Sequence, residues 1–344
     1  MSAPVERAAI WVVTDGRAGN ENPAKALAAG VARAIGSSGD AVRVIRLALR
    51  PGAAALPPTL WMLRGPRLGG WPFTALNDRG AALAPPYPAL VIGAGRRSAP
   101  FVLALKRLSG GSARAVQILD PKLAPTAFDL VVAPAHDGLS GPNTHRTIGS
   151  LHDVAPETLR GERHARLEAL ASPLIGVLVG GDAKGTRLSL TDAERLLAAL
   201  RPAAARGAGL AATPSRRTPE PVKERLRTAI EAMGGFFWDG AEPNPLRPIL
   251  AQADALVVTA DSANMASEAA GAGKPLFLAP LDRLSPKLAR FGAALVEGGY
   301  AKPLPPALDA GALATPQRRR LDDRAAVVAR ILPLLADPAA SSQR

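Results

Sequence analysis

Val257-Val-Thr-Ala-Asp-Ser-Ala-Asn-Met-Ala-Ser-Glu268, continued by Ala-Ala-Gly-Ala-Gly-Lys-Pro275, decides how the chain is read. An apolar run of strand type ends at Thr259, and Ser262 stands where it can cap a helix. That helix runs to Ala272. The Gly-Lys-Pro turn closes it, and a second apolar run follows, Pro275–Ala279. Strand, cap, helix, strand is the unit of a parallel sheet with crossover helices. The start of the helix offers free backbone N–H groups and the positive end of its dipole, which together attract an anion. Ser262 and Asn264 add side-chain donors. Glu268 lies between one and two turns further on, where it could accept from ribose hydroxyls. The same segment also reads as an ordinary capped helix packed on its sheet.

Upstream the alternation recurs in two series. Ala8–Asp15, Ala41–Leu49, Leu90–Gly95, Val116–Leu119 and Leu130–Ala133 are short apolar runs bounded by Gly, Pro and Asp, with a helical pattern over Pro23–Ile35. The rhythm stops around Pro156–Ser172 and resumes at Leu174–Val179. Strand patterns at Gly209–Ala212, Phe236–Trp238 and Ala255–Val258 then alternate with helical ones at Thr191–Ala205, Glu220–Met233 and Ser262–Ala272. Buried parallel strands read as such continuous apolar runs. The expectation is α/β: two doubly wound domains with a cleft between them, over residues 1–165 and 166–320. Ligands of such sheets sit at the carboxyl ends of the strands.

Two further strand ends carry phosphate chemistry. Val177-Leu-Val-Gly-Gly-Asp-Ala-Lys-Gly-Thr-Arg187 has Gly180 and Gly181, which permit close backbone approach, and Lys184 and Arg187, which could neutralise a diphosphate. It lacks the Gly-Lys-Ser/Thr ending of a P-loop, which disfavours an ATPase. A flexible turn with solvated charges is the alternative. Thr213-Pro-Ser-Arg-Arg-Thr-Pro-Glu220 supplies Ser215, Arg216 and Arg217; guanidinium forks bind phosphate in a bidentate manner, and the same stretch reads as a helix start.

In the first half, Thr14-Asp-Gly-Arg17 ends a strand, and Asp15 is either a general base or the acceptor of a Gly turn. His136 in Pro134-Ala-His-Asp-Gly138 also follows a strand, and it reads either as the general base, since an imidazole's ordinary pKa lies near neutrality, or as a structural histidine at a turn. Gly93-Ala-Gly-Arg-Arg-Ser98 lacks the third glycine and ribose acid of a dinucleotide fingerprint, which rejects NAD. Leu60–Trp71 places two of the four tryptophans beside Arg64 and Arg67, so it reads either as a membrane-interface segment or as buried packing.

Composition narrows the classes. With no cysteine there is no disulfide, thiolate metal site or cysteine nucleophile, and the four histidines form no ligand pair. No metal and no cofactor are expected. The net charge of +13, larger in the first half, suits anionic lipid or phosphorylated ligands. No nucleic-acid motif accompanies it, so no nucleic acid is expected. No secretory signal is expected from Met1–Arg7, and no run in the sequence reaches the ~18 apolar residues of a spanning helix. The expected location is cytoplasmic, soluble or peripheral at an anionic membrane.

Thr14-Asp-Gly-Arg-Ala-Gly-Asn20, Gly180-Gly-Asp-Ala-Lys184, Ser215-Arg-Arg-Thr-Pro219 and Thr259–Glu268 together resemble the mitochondrial-fission "elongated mitochondria" family, whose bacterial members are often labelled nucleoside-diphosphate-sugar epimerases. The second half is also similar, more distantly, to GT-B glycosyltransferases, in which a Gly-Gly turn and a Ser-to-Glu helix start hold a nucleotide diphosphate and its ribose. The resemblance implies a GT-B-like fold, two Rossmann-like, doubly wound domains facing each other with a helix over 321–336 crossing back to the first, and carries that role to Gly180, Gly181, Ser262 and Glu268. It implies a nucleotide diphospho-sugar as ligand and metal-independent sugar transfer. The alternatives are a non-catalytic adaptor recruiting a membrane-remodelling protein partner, or a sugar-nucleotide epimerase.

Overall fold

The computed structural model describes residues 9–37, 39–55, 60, 70, 72–314 and 319–336. Trp61 and Trp71, and with them the membrane reading of that stretch, lie outside the described residues. The chain divides into two units, one made of residues up to Asp153 and again from Asp322, the other of Val154–Leu321. Each contains one six-stranded parallel sheet among the described residues.

In unit 1 the strands are β1 (Ile10–Thr14), β2 (Val42–Arg46), β3 (Leu90–Ala94), β4 (Arg114–Ile118), β5 (Leu130–Pro134) and β6 (Thr144–Thr147). Their order is β2-β1-β3-β4-β5-β6, so the direction of winding reverses between β1 and β3. Helix α1 (Ala18–Ala34) follows β1, and α2 (Ala99–Leu108) follows β3. Successive strand residues face opposite sides of a sheet, and here both sides are buried. Ile10, Val12, Leu90, Ile92, Val116 and Val132 pack with α1 residues such as Leu27 and Val31. Trp11, Val13, Val91, Ala115 and Val131 pack with Phe101 and Leu105 of α2 and with Phe73 and Leu83. That is why these strands read as largely apolar runs, broken in β4 by Arg114 and Gln117.

Unit 2 opens with the short α3 (Ala165–Glu168), followed by β7 (Leu174–Val179), α4 (Leu190–Ala205), β8 (Gly209–Pro214), α5 (Glu220–Ala232), β9 (Phe236–Phe237) and α6 (Leu246–Gln252). It continues through β10 (Ala255–Thr259), α7 (Ala263–Gly271), β11 (Leu276–Ala279), α8 (Pro286–Glu297), β12 (Lys302–Pro303) and α9 (Ala310–Ala314). The sheet order is β9-β8-β7-β10-β11-β12, the Rossmann order, with the reversal between β7 and β10. Residues 154–165, grouped by the sequence pattern with the first domain, belong to unit 2. Polar contacts hold them there: Arg247 of α6 donates to Glu162 Oε1 at 2.5 Å and to the Thr158 carbonyl at 2.7 Å.

The chain then returns to unit 1 as α10 (Asp323–Ala336). Val327 and Ile331 are fully buried in the α1 side of the core. Gly30 of α1 lets α10 approach closely, since a Cβ there would lie 3.1 Å from Val328. Asp323 Oδ2 accepts the N–H groups of Ile148 and Gly149, both at 2.9 Å, and ties the helix start to the loop after β6.

Candidate functional site at the switch point of the unit 2 sheet

Crevices form where neighbouring crossovers run in opposite directions, because the two loops there part company. In unit 2 those loops are Gly180–Ser189 after β7 and Ala260–Ser262 after β10. They hold the two sequence segments richest in phosphate-type ligands.

The loops are tied together by one carboxylate. Asp261, whose side chain has 0% exposure, accepts the Gly181 N–H on Oδ2 at 2.5 Å. Its other oxygen, Oδ1, is buried without a hydrogen-bond partner among the described residues. Burial pushes the Asp261 carboxyl above its ordinary range, opposed by hydrogen bonds from Thr259 and Gly181 and by the charge of Arg217. The Thr259 hydroxyl accepts the Gly180 N–H at 2.7 Å. The loop after β8 closes over this core. The Thr218 hydroxyl donates to the Gly180 carbonyl, and Arg217 donates to the Asp182 carbonyl at 2.9 Å and stands 3.8 Å from Asp261 Oδ2.

Gly180 and Gly181 are therefore needed for packing inside the protein. A Cβ on Gly180 would lie 1.8 Å from Asp261 Oδ2, and one on Gly181 would lie 2.2 Å from the Arg217 carbonyl group. Both of their N–H groups are engaged within the unit. The open donors are elsewhere. Ser262 caps α7, its hydroxyl accepting the Met265 N–H at 3.5 Å. The N–H groups of Ala263 and Asn264 precede the first intrahelical bonds. Glu268 is half-buried one to two turns along the same helix. Lys184, Arg187 and Arg216 are exposed at the carboxyl rim, and Ser215 is half-buried, its hydroxyl accepting the Arg217 N–H at 2.9 Å. The three loops thus converge, with Arg217 acting as a clamp between them.

The first-half candidates do not form a pair. Asp15 follows β1 and His136 follows β5, with β3 and β4 between those strands in the sheet. Three strand spacings separate those ends, roughly 14 Å. Asp15 is held by the Asn20 amide at 2.9 Å and the Arg17 N–H at 3.3 Å, and lies 3.6 Å and 3.7 Å from the Arg17 and Arg97 guanidinium groups. The His136 side chain is buried, with Nε2 3.8 Å from Asp137 Oδ1. Among the described residues no three His, Asp or Glu side chains gather as a metal ion would require. No described helix is long and apolar enough to cross a membrane.

Asp261 lies inside the Val257–Glu268 segment, yet its role is not legible there, because its partner in the β7 loop is 80 residues away in sequence. Its only local signal is a carboxylate wedged between a buried strand and a helix cap.

With this geometry in hand, the comparisons with known proteins are specific. The family model described as mitochondrial fission ELM1 matches residues 18–335. The mitochondrial fission protein ELM1 of Arabidopsis thaliana is 29% identical over 279 residues, which are 69% of this chain and 65% of that protein. The match therefore spans less than two thirds of that relative's length. Among solved structures, the UDP-GlcNAc 2-epimerase of Methanocaldococcus jannaschii superposes with a TM-score of 0.53 at 12% identity, over 95% of this chain and 99% of that one. A protein described as a UDP-N-acetylglucosamine 2-epimerase from Listeria monocytogenes gives the same TM-score of 0.53 at 12% identity, over 96% and 88%. At such identities the likeness is one of fold: two Rossmann-like units of GT-B type.

Proposed function

The chain belongs to the mitochondrial fission ELM1 family, and we propose that it binds a nucleoside diphospho-sugar at the switch point of unit 2 and transfers the sugar without a metal ion. The observation that carries this reading is the coincidence of the Ser262-capped helix, with Glu268 behind it, and the reversal of strand order between β7 and β10. In the proposed complex the start of α7, Ser262 and Asn264 hold phosphoryl oxygens. Lys184, Arg187 and Arg216 offset the charge that grows on a diphosphate leaving group, and Glu268 accepts from the ribose hydroxyls. Gly180, Gly181, Ser215, Arg217 and Asp261 shape the site from behind. The epimerases of like fold are named for UDP-GlcNAc, a ligand of the class this reading requires.

Calorimetry with UDP tests it, and binding in the micromolar to millimolar range is expected. Absence of binding at millimolar UDP overturns the proposal. Glu268→Ala is expected to weaken UDP binding roughly 10- to 150-fold, since a hydrogen bond to a charged group contributes ~1.5–3 kcal/mol. Unchanged affinity in that variant removes Glu268 from the ribose. A non-catalytic adaptor is the second reading, favoured by the engagement of Asp15, the candidate base, with Asn20, Arg17 and Arg97. It predicts UDP binding with no turnover of any nucleotide sugar.

A further inference from the structure

The loops after β7 and β11 are joined, although β10 stands between their strands in the sheet. The Ser285 N–H donates to the Thr186 hydroxyl at 3.0 Å, and the Arg187 N–H donates to the Arg283 carbonyl at 2.9 Å. Arg187 and Arg283 face each other as an antiparallel bridge pair. Next to them the Asp282 N–H donates to Asp192 Oδ1 at 3.0 Å, which secures the β11 loop against the start of α4.

Residues directly opposite in such a pair send their side chains to the same side, with Cα atoms about 5.5 Å apart. Like charges placed so repel each other. The nearby carboxylates are committed elsewhere. Asp182 Oδ1 accepts the Leu188 N–H at 2.9 Å, and Asp192 and Asp282 both hold Arg195. Arg187 and Arg283 are exposed, and among the described residues neither has an ion-pair partner. Lys184 lies in the same tight turn, closed by the Ala183–Thr186 bridge. Two loops from separate strands are thus zipped so that two arginine side chains without an ion-pair partner leave facing backbone positions. An oxyanion with several acceptor oxygens satisfies that arrangement, because each guanidinium presents a planar fork of donors.

The geometry points to a phosphoryl-binding fork made of Arg187 and Arg283, with the distal phosphoryl group of a nucleoside diphosphate as its ligand. The inference rests on the nucleotide reading above and adds Arg283 and a division of labour to it. The start of α7 and the ribose carboxylate serve the nucleoside monophosphate portion, and the fork serves the second phosphate.

The test compares UDP with UMP by calorimetry for wild type, Arg187→Ala, Arg283→Ala and Arg283→Lys, with melting of each protein without ligand. Wild type is expected to prefer UDP over UMP by about 10-fold or more, the effect of one or two charge-assisted bonds. Each alanine variant is expected to bring that preference to within a few fold while leaving UMP affinity nearly unchanged. Lysine, which keeps the charge and loses the fork, is expected to fall between. Without ligand, Arg283→Ala is expected to melt at or above the wild-type temperature, since a like-charge contact is removed. A UDP preference retained in both alanine variants overturns the fork, as does equal binding of UDP and UMP by wild type. A clear drop in the ligand-free melting temperature of Arg283→Ala overturns it in favour of a structural role. Failure of wild type to bind either nucleotide overturns the underlying reading and the fork with it.

Discussion

Gly181→Ala is expected to lower the melting temperature by about 6–12 °C, and to do so without any ligand present. An alanine Cβ at this position would lie 2.2 Å from both the carbonyl carbon and oxygen of Arg217, and 2.4 Å from the Thr218 nitrogen. These are backbone atoms that cannot swing away as a flexible side chain would. Relief requires the β7 and β8 loops to move apart. That movement disrupts the Asp182 N–H bond to the Arg217 carbonyl, the Gly181 N–H bond to Asp261 and the Thr218 hydroxyl bond to Gly180. Overpacking alone costs ~1–3 kcal/mol, and a buried donor left unmade adds ~1–3 kcal/mol. A total of about 3 kcal/mol corresponds to the stated shift, at roughly 2–4 °C per kcal/mol for a unit of this size. Gly292→Ala is the control. Its Cβ would meet nothing nearer than 3.9 Å, and it lies inside α8, so alanine there is expected to be neutral or to stabilise by ~0.5–1 kcal/mol. Circular dichroism melts of both variants decide the matter. Equal melting of Gly181→Ala and wild type would refute the close packing.

The same glycines illustrate what the sequence could disclose. Val177-Leu-Val-Gly-Gly reads as a buried strand entering a tight turn, and the strand is there as β7. The use the fold makes of these glycines is not local. Read locally, they invite a ligand to approach; in the fold they admit Asp261 and the Arg217 backbone. The strands in the middle of both sheets were legible because burial on both faces leaves mostly apolar residues, with β4 departing from the pattern at Arg114 and Gln117. β6, Thr-His-Arg-Thr, was not legible, because an edge strand paired on one side only, to β5, can be polar. α8 was overlooked although Ser285 and Pro286 form an explicit start, the Ser285 hydroxyl accepting from Leu288 N–H. α6 offered less, being seven residues long with Pro248 within it. At the site, Ser262 was legible from its place after a strand, since capping is local. Asp261 and Arg283 were not, because each acts on a partner brought beside it only by sheet order.

Asp261 carries the other large effect. Asp261→Ala removes the acceptor of the buried Gly181 N–H and leaves a void beside Thr259 and Gly180, whose Cβ position is filled by this carboxylate. An unsatisfied buried donor costs ~1–3 kcal/mol, and the void adds to it. A loss of about 3 kcal/mol is expected, with Arg217 released from one of its anchors. Asp261→Asn separates shape from charge. It keeps an oxygen for the Gly181 N–H and removes the ionisable group. Because burial raises the Asp261 carboxyl in the folded state above its unfolded value, the folded protein holds this proton more tightly than the unfolded chain does. The sign follows from linkage: over the acid window between those two values, stability from this group falls as pH rises. Asp261→Asn has no such dependence. Wild type should therefore improve relative to Asp261→Asn as pH is lowered from neutrality into the window above the ordinary aspartate range, while Asp261→Ala remains the least stable at every pH. Urea unfolding of the three proteins across that range measures it. A wild-type advantage that shrinks on acidification would mean that Asp261 is held as a carboxylate by Arg217 and the loop N–H groups more strongly than burial opposes it.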